Sequence, residues 1–254
     1  MDTVEVLGVE FAKVSLREAI NLATRMALSQ RPHVVVTANP EFVHHYQRSE
    51  ELRRLMARAA MVVADGAGVV WASRLLGRPL PERVPGVELV EGVLGTGRVC
   101  RVYLLGAKPG VAQEAGLKLK ARYPHLEVVG THHGYFRPEE EEQVIKSIAG
   151  SGAQLLLAGL GAPKQEIWLL RHGNALGVPL MIGVGGALDV FAGRVNRAPL
   201  VFRRAQLEWL WRITTEPRRL RRVPGLVWFL LAVLGQWWKL RGPVGKTGVD
   251  GSGT

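Results

Sequence analysis

Short, almost continuously apolar runs constrain the fold of this chain more than any other feature. Six of them end at glycine, asparagine or aspartate, and helical patterns lie between most of them. Such runs are typical of parallel strands covered on both faces. Their alternation with helices predicts an α/β fold with a doubly wound, mainly parallel sheet. The predicted strands are His33–Asn39, Ala60–Asp65, Cys100–Gly106, Leu126–Gly130, Ala153–Gly161 and Pro179–Gly186, with a less distinct first strand at Val4–Ala12. The predicted helices are Leu16–Ser29, Gly66–Leu76, Val87–Leu94, Gly110–Tyr123, Pro138–Ala149 and Pro163–His172.

The composition divides the 254 residues into three predicted segments. Residues 1–195 carry the strand and helix pattern and are expected to form an α/β core. Residues 196–241 are basic and rich in tryptophan, and we expect them to form a helical appendage that contacts a membrane. Residues 242–254 are glycine-rich and predicted to be disordered.

Positive charge is concentrated in the appendage. The formal net charge is +11, which favours an acidic partner. Eight arginines and two glutamates lie between Arg197 and Arg222, and the apolar run Val223–Trp238 follows them. This run of 16 residues is shorter than the roughly 20 needed to cross a bilayer. We therefore expect it to lie on an anionic membrane surface. A buried C-terminal helix or an oligomer contact, with a solvated basic face, is the alternative.

Several classes of function find little support. The single cysteine, Cys100, excludes an internal disulfide and is expected at a buried strand position. The histidine pairs lack a carboxylate at metal-ligand spacing, so no metal site is expected. The N-terminus has no signal-peptide pattern, which predicts a cytoplasmic protein on the inner face of the membrane. Because the arginines lead into a tryptophan-rich apolar run, lipid is favoured over nucleic acid. A dinucleotide-dependent oxidoreductase remains an alternative, although a complete GxGxxG motif is missing.

Polar and glycine residues follow the predicted strands at their carboxyl ends, where ligands of such sheets bind. Backbone N–H groups at such turns suit the phosphates of a nucleotide. Any single glycine after a strand more often serves the turn itself than a ligand. Asp65 could instead cap a helix, and Thr37 could simply fill a strand end. The candidates are Thr37, Asn39, Asp65, Gly66, Gly68, Gly106, Gly161, Lys164, Gln165, Glu166, Gly185, Gly186 and Asp189.

Seven motifs resemble those of a known family. They are "TANPEFV", "ADGAGVV", "ERVPGVEL", "HHGYF", "GLGAPKQEIW", "GVGGALDVFAGRVNRAP" and "LEWLWRITTEPRRLRR", and the resemblance covers about Val4 to Lys239. In this order they resemble the WecG/TagA/CpsF bacterial glycosyltransferases, also called glycosyltransferase family 26. The strongly apolar run after the arginines departs from the family pattern.

The resemblance implies a modified Rossmann fold and inverting, metal-independent transfer, with no cofactor. The expected partners are a UDP-N-acetylhexosamine donor and a polyprenyl-diphosphate-linked GlcNAc acceptor. In the TagA branch the donor is UDP-N-acetylmannosamine, and the product is the linkage unit of wall teichoic acid. The family pattern implies that Asp65 is the catalytic base, with Thr37 beside it. It also implies functional arginines in the appendage at Arg212, Arg219 and Arg222.

The chemistry of this reaction suits the residues present. One general base must take the proton of the attacking hydroxyl, and Asp65 can do so. The diphosphate leaving group needs cations, and no DxD metal motif exists, so we expect Arg83 and the appendage arginines to act there.

Further residues are expected to bind the donor. Asp189 is expected to bind uracil or ribose unless it caps a helix. Tyr135 is expected to stack on uracil unless it packs in the core. Gln165 and Glu166 are expected to face the same cleft. A homo-oligomer is left open.

Overall fold

The computed structural model describes residues 1–199, 201–202, 208–215, 220 and 223–241. Its strands are β1 (Thr3–Val6), β2 (Val9–Ala12), β3 (His33–Ala38), β4 (Met61–Ala64), β5 (Arg101–Gly106), β6 (Glu127–His132), β7 (Leu155–Gly159) and β8 (Leu180–Gly183). Its helices are α1 (Leu16–Ala27), α2 (Pro40–Arg48), α3 (Glu50–Met56), α4 (Ala67–Leu75), α5 (Gly86–Gly95), α6 (Val111–Arg122), α7 (Glu141–Ala149), α8 (Lys164–Leu176), α9 (Ala187–Phe191), α10 (Glu208–Thr215) and α11 (Val223–Arg241). A short 3-10 helix, Pro138–Glu140, precedes α7.

Six strands form one parallel sheet in the order β4-β3-β8-β7-β5-β6. Its strands alternate residues between two apolar clusters, one on each face. In β7, for example, Leu156 and Ala158 face one cluster, while Leu155 and Leu157 face the other. A strand buried on both faces has no need of polar residues, which explains the continuous apolar runs. The predicted α/β fold with a mainly parallel sheet is confirmed.

The prediction of a single first strand at Val4–Ala12 was wrong, because this segment forms two strands. Val4–Ala12 is interrupted at Leu7 and Gly8, which both have positive φ, of 49° and 77°. The chain therefore turns back, and β1 pairs antiparallel with β2 in a separate two-stranded sheet. Glycine adopts this conformation without steric cost, so "LG" within an apolar run was the available signal.

Three helices were not predicted, namely α2, α3 and α9. The start of α2 follows ordinary capping rules, because Asn39 accepts a hydrogen bond from the backbone N–H of Phe42 at 2.9 Å and Pro40 occupies the first turn.

The predicted position of Cys100, buried within a strand, was also wrong. Cys100 is half-buried and lies just before β5 rather than inside it.

The last helix, α11, lies against α2. Phe229 and Val233 are fully buried in this contact, and the Trp228 ring meets the His44 ring edge-on at 4.6 Å. With 19 residues, α11 is longer than the 16-residue apolar run, and by length and composition it could cross a membrane, contrary to the expectation from the run alone. Most of its residues are not buried. One face of α11 is thus used by the fold, and much of its apolar surface is not.

Candidate active site

The loops at the carboxyl edge of the sheet form a continuous rim. Because the six strands are parallel, all of their carboxyl ends lie on one side. Backbone hydrogen bonds continue past the strands, from Asp65 N–H to Ala38 O at 2.9 Å and from Val184 N–H to Ala158 O at 2.8 Å. Ala107 N–H likewise donates to Gly159 O at 3.0 Å. The sequence-predicted site residues therefore follow neighbouring strands, as expected for a ligand-binding edge.

Asp65 stands at the first turn of this rim and is half-buried. The cap position of α4 is Gly66, and within the described residues no side chain caps this helix start. Asp65 therefore does not serve as the helix cap. A Cβ on Gly66 would lie 3.2 Å from Pro40 Cδ, and one on Gly68 would lie 2.9 Å from Pro40 Cγ. These glycines let the turn after β4 pack closely on Pro40, directly after the end of β3, where Thr37 and Asn39 lie.

Thr37 and Asn39 both make structural contacts. The Thr37 hydroxyl donates to Gly183 O at 2.8 Å and so connects the ends of β3 and β8. Gly86 lies beside it, because a Cβ there would be 3.3 Å from Thr37 Oγ1. The side-chain oxygen of Asn39 accepts from Phe42 N–H at the start of α2. Asn39 thus shapes the edge by starting a helix, and its predicted catalytic role stays a prediction.

Arg83 reaches the edge through a segment that runs past β4. Val84 N–H donates to Ala64 O at 2.8 Å, which places the "ERVPG" motif beside the strand end. Arg83 Nη1 lies 3.3 Å from Glu208 Oε2, and the two side chains are 18% and 12% exposed. This ion pair joins the core to α10 of the appendage. Sequence reasoning missed Glu208, although an acidic residue within an arginine-rich segment was the available signal.

Two glycines of the rim have backbone conformations that would be strained for any residue with a Cβ atom. Gly106 has a φ of 136°, and a Cβ there would lie 2.4 Å from Gly159 O. Gly185 has a φ of 52°, in the left-handed region. The turn that contains Gly161 precedes α8. Lys164, the first residue of α8, is exposed, and its Nζ lies 5.6 Å from the Phe136 ring centroid. Close packing and backbone geometry therefore require glycine at this edge.

The prediction that Gln165 and Glu166 face the cleft was wrong. Their residues are 3% and 1% exposed. Gln165 Oε1 accepts from Gly161 N–H at 3.2 Å and from Gly185 N–H at 3.0 Å. Gln165 Nε2 donates to Glu166 Oε1 at 2.7 Å. The pair lies beneath the rim and connects its two central loops, because both backbone donors belong to glycines that follow strands.

Tyr135 follows the edge strand β6, whereas Asp189 follows the central strand β8, which pairs with β3. Tyr135 is 68% exposed, so it does not pack in the core. Asp189 is the third residue of α9, whose cap position is Gly186, so Asp189 does not cap this helix. Asp189 is half-buried. Contact of either side chain with uracil or ribose stays a prediction.

The structure describes little of the predicted appendage arginines. Arg212 lies in α10, and nothing is described of its side chain. Arg219 and Arg222 lie outside the described residues, as do residues 242–254. Over the described part of the chain, no group of three or more histidine, cysteine, aspartate or glutamate residues is placed to hold a metal ion.

The fold and the edge define a Rossmann-like α/β protein with a carboxylate and glycine turns where a ligand would bind. A family model described as "Glycosyl transferase WecG/TagA/CpsF family" matches residues 4–243. Proteins of Staphylococcus aureus strains NCTC 8325 / PS 47 and COL are 37% identical over 234 residues, covering 91% of this chain and 91% of theirs. Both are named N-acetylglucosaminyldiphosphoundecaprenol N-acetyl-beta-D-mannosaminyltransferase. This chain belongs to the WecG/TagA/CpsF family of glycosyltransferases, as its motifs indicated.

Proposed function

We propose that this protein transfers N-acetylmannosamine from UDP-N-acetylmannosamine to the 4-hydroxyl of GlcNAc on polyprenyl diphosphate, with inversion. The product would enter wall teichoic acid linkage-unit synthesis or a related surface polysaccharide. The observation that carries the proposal is the position of Asp65 at the carboxyl edge, where its N–H donates to O of Ala38, the residue after Thr37, in a chain 37% identical to relatives named for this transfer. The family assignment also sets aside the oxidoreductase and the nucleic-acid-binding alternatives.

Asp65 acts as the general base. Its carboxylate takes the proton of the acceptor hydroxyl while that oxygen attacks the anomeric carbon from the face opposite UDP. The new carbon–oxygen bond forms as the bond between sugar and UDP breaks, and UDP leaves with the electron pair. Thr37 holds the sugar near this carboxylate. The bond from Thr37 to Gly183 O keeps the threonine in place at the junction of two strands.

Arginines offset the charge that develops on the leaving diphosphate. Arg83 is our candidate for binding the diphosphate from the core, because it lies in the segment beside the end of β4. The appendage would add Arg212, Arg219 and Arg222. Guanidinium groups bind phosphate oxygens in pairs, so they can replace a divalent metal in this role. The Arg83–Glu208 contact supports a site that is completed only when the appendage is in place.

The appendage also supplies the membrane contact. Val227, Leu230, Leu231, Leu234 and Trp238 follow helical spacing on α11 and are between 38% and 72% exposed. An exposed apolar face of this kind suits the lipid interface, where the acceptor lipid resides. We place the enzyme at the cytoplasmic face of the cell membrane, with residues 196–241 as its docking appendage.

The decisive experiment measures UDP release from UDP-N-acetylmannosamine, with and without a lipid-diphosphate-GlcNAc acceptor, in EDTA. Acceptor-dependent release should persist in EDTA and fall about 100-fold or more in Asp65→Asn, the range expected for loss of a general base. Turnover only with another UDP-hexosamine would change the donor and keep the family. No turnover with any such donor would contradict the proposal.

A truncation tests the appendage. Removing the chain from Arg203 onwards should leave a folded core without transfer activity. The melting profile and binding to anionic vesicles report folding and docking separately. Full activity of the truncated protein would contradict completion of the site by the appendage.

A further inference from the structure

Gln165 and Glu166, the buried pair beneath the rim, make a set of hydrogen bonds that packing alone does not require. Gln165 offers one carbonyl oxygen to two backbone N–H groups, Gly161 on the loop after β7 and Gly185 on the loop after β8. These loops are distant in sequence, and a single amide sets their separation. Gly183 is required to make room, because a Cβ there would lie 2.9 Å from Gln165 Nε2.

An amide can bind these loops only if it has the correct orientation. Rotating the Gln165 amide by half a turn would point its NH₂ group at the two backbone donors. Glu166 opposes that rotation, because its Oε1 accepts from Gln165 Nε2 at 2.7 Å. Glu166 therefore selects which end of the amide faces the loops.

Keeping a carboxyl group at this position is costly. Glu166 is 1% exposed, and its Oε2 is buried with no hydrogen-bond partner in the described part of the chain. Burial raises the pKa of this carboxyl to about 7, while the Gln165 bond opposes the rise and the Glu41 charge adds to it. A leucine or methionine would fill the space without this cost, so packing alone does not account for glutamate.

We propose that Glu166 is a positioning residue that orients Gln165, so that one amide oxygen holds the two glycine loops at the separation that the sugar donor requires. The proposal rests on the proposed function, since it assigns those loops to the nucleotide diphosphate of the donor. Glu166 itself touches no substrate. The N–H groups of Gly161 and Gly185 are occupied by Gln165. The remaining backbone N–H groups of these turns are suited to diphosphate oxygens, and their placement decides how well they bind.

The test compares Glu166→Leu, Glu166→Gln and Gln165→Ala in the full chain. Glu166→Leu removes the acceptor and leaves Gln165 Nε2 unsatisfied, so KM for the UDP-sugar should rise about tenfold while kcat changes less. Glu166→Gln keeps an oxygen acceptor and should recover most of the loss. Glu166→Leu should add little in a Gln165→Ala background, because Glu166 acts through Gln165.

A matched control and a second readout separate positioning from general destabilisation. Thr24→Val removes another buried polar group, whose hydroxyl donates to Ile20 O at 2.8 Å in α1, and should leave KM unchanged. Amide hydrogen exchange at Gly161 and Gly185 should accelerate in Glu166→Leu and recover in Glu166→Gln. Melting temperatures of all variants show that each is folded.

The results distinguish the two proposals. Absence of transfer by the wild type would contradict the proposed function, whereas the exchange measurement would still test the positioning of the loops. Unchanged exchange at both glycines in Glu166→Leu would overturn the role of Glu166. Fully additive effects of Glu166→Leu and Gln165→Ala on KM would do so as well.

Discussion

Strand β7 and helix α11 are both strongly apolar, yet the fold uses them in opposite ways. Leu155, Leu156 and Leu157 in β7 are completely buried. In α11 only Phe229 and Val233 are buried, whereas Leu231 is 64% and Trp238 is 72% exposed. The strand is enclosed by helices on both sides of the sheet, while the helix meets the protein along one stripe.

The difference shows that apolar composition alone does not assign a segment to the core. Burial of each leucine in β7 contributes roughly 1.5–3 kcal/mol to folding. The exposed side chains of α11 contribute little of this kind in water. An exposed apolar face on a basic appendage instead supports the membrane contact proposed above. The substitutions below test this contrast, from the largest expected change in stability to the smallest.

Leu157→Asp should prevent folding. It places a carboxylate between two packed layers, where no cation is available to pair with it among the neighbouring core residues. The loss should exceed about 4 kcal/mol, which is comparable to the whole stability of many domains. Circular dichroism and soluble yield provide the measurement. A cooperative melting transition near that of the wild type would contradict the description of β7 as fully buried.

Phe229→Ala should weaken the docking of α11 on α2 by about 3 kcal/mol, as expected for loss of a buried aromatic ring. Phe229 packs in the same apolar cluster as Phe42 and Val43 of α2, so the loss should fall mainly on this contact and the parallel sheet should melt close to the wild-type temperature. Limited trypsin digestion at the end of α11 should become faster. Leu231→Ala, on the exposed face, is the matched control and should leave the digestion rate unchanged.

Glu166→Gln should change how stability depends on pH. In the folded protein burial raises the pKa of Glu166 to about 7, above its ordinary value of 4.5. Between these values the folded state retains a proton that the unfolded state has lost, so wild-type stability falls as pH rises from 4.5 towards 7. Thermal melting from pH 5 to 7.5 should show a smaller decline in Glu166→Gln. Identical slopes in the two proteins would contradict a buried, neutral carboxyl group.

Leu231→Asp should have the smallest effect on stability, within about 0.5 kcal/mol, because the side chain is largely exposed. Its binding to anionic vesicles should nevertheless decrease clearly, since a charge would enter the apolar face. Vesicle sedimentation measures this, and Lys239→Gln shows how much of the binding is electrostatic. Unchanged sedimentation would separate α11 from the membrane and favour its role as an oligomer contact.

Much of the site could be predicted because it follows the strand order. Residues directly after parallel strands must share one edge, so Asp65, Thr37 and Gly185 were placed together before any contact was known. The errors occurred where a side chain's partner is distant in the chain. Gln165 was assigned to the cleft, although its amide oxygen accepts from the N–H of Gly185, 20 residues away, beneath the rim.

Local patterns in the sequence were thus sufficient for the parallel sheet, because burial on both faces leaves continuous apolar runs and glycine at the turns. The cap at Asn39 is also local, since its partner Phe42 is three residues away, although α2 was not predicted. Tertiary structure alone decided that Arg83 meets Glu208, that Gln165 accepts from Gly185 N–H, and that Phe229 is buried while Leu231 is not. Local periodicity depends on neighbouring residues, whereas these contacts depend on how distant segments meet in the folded chain.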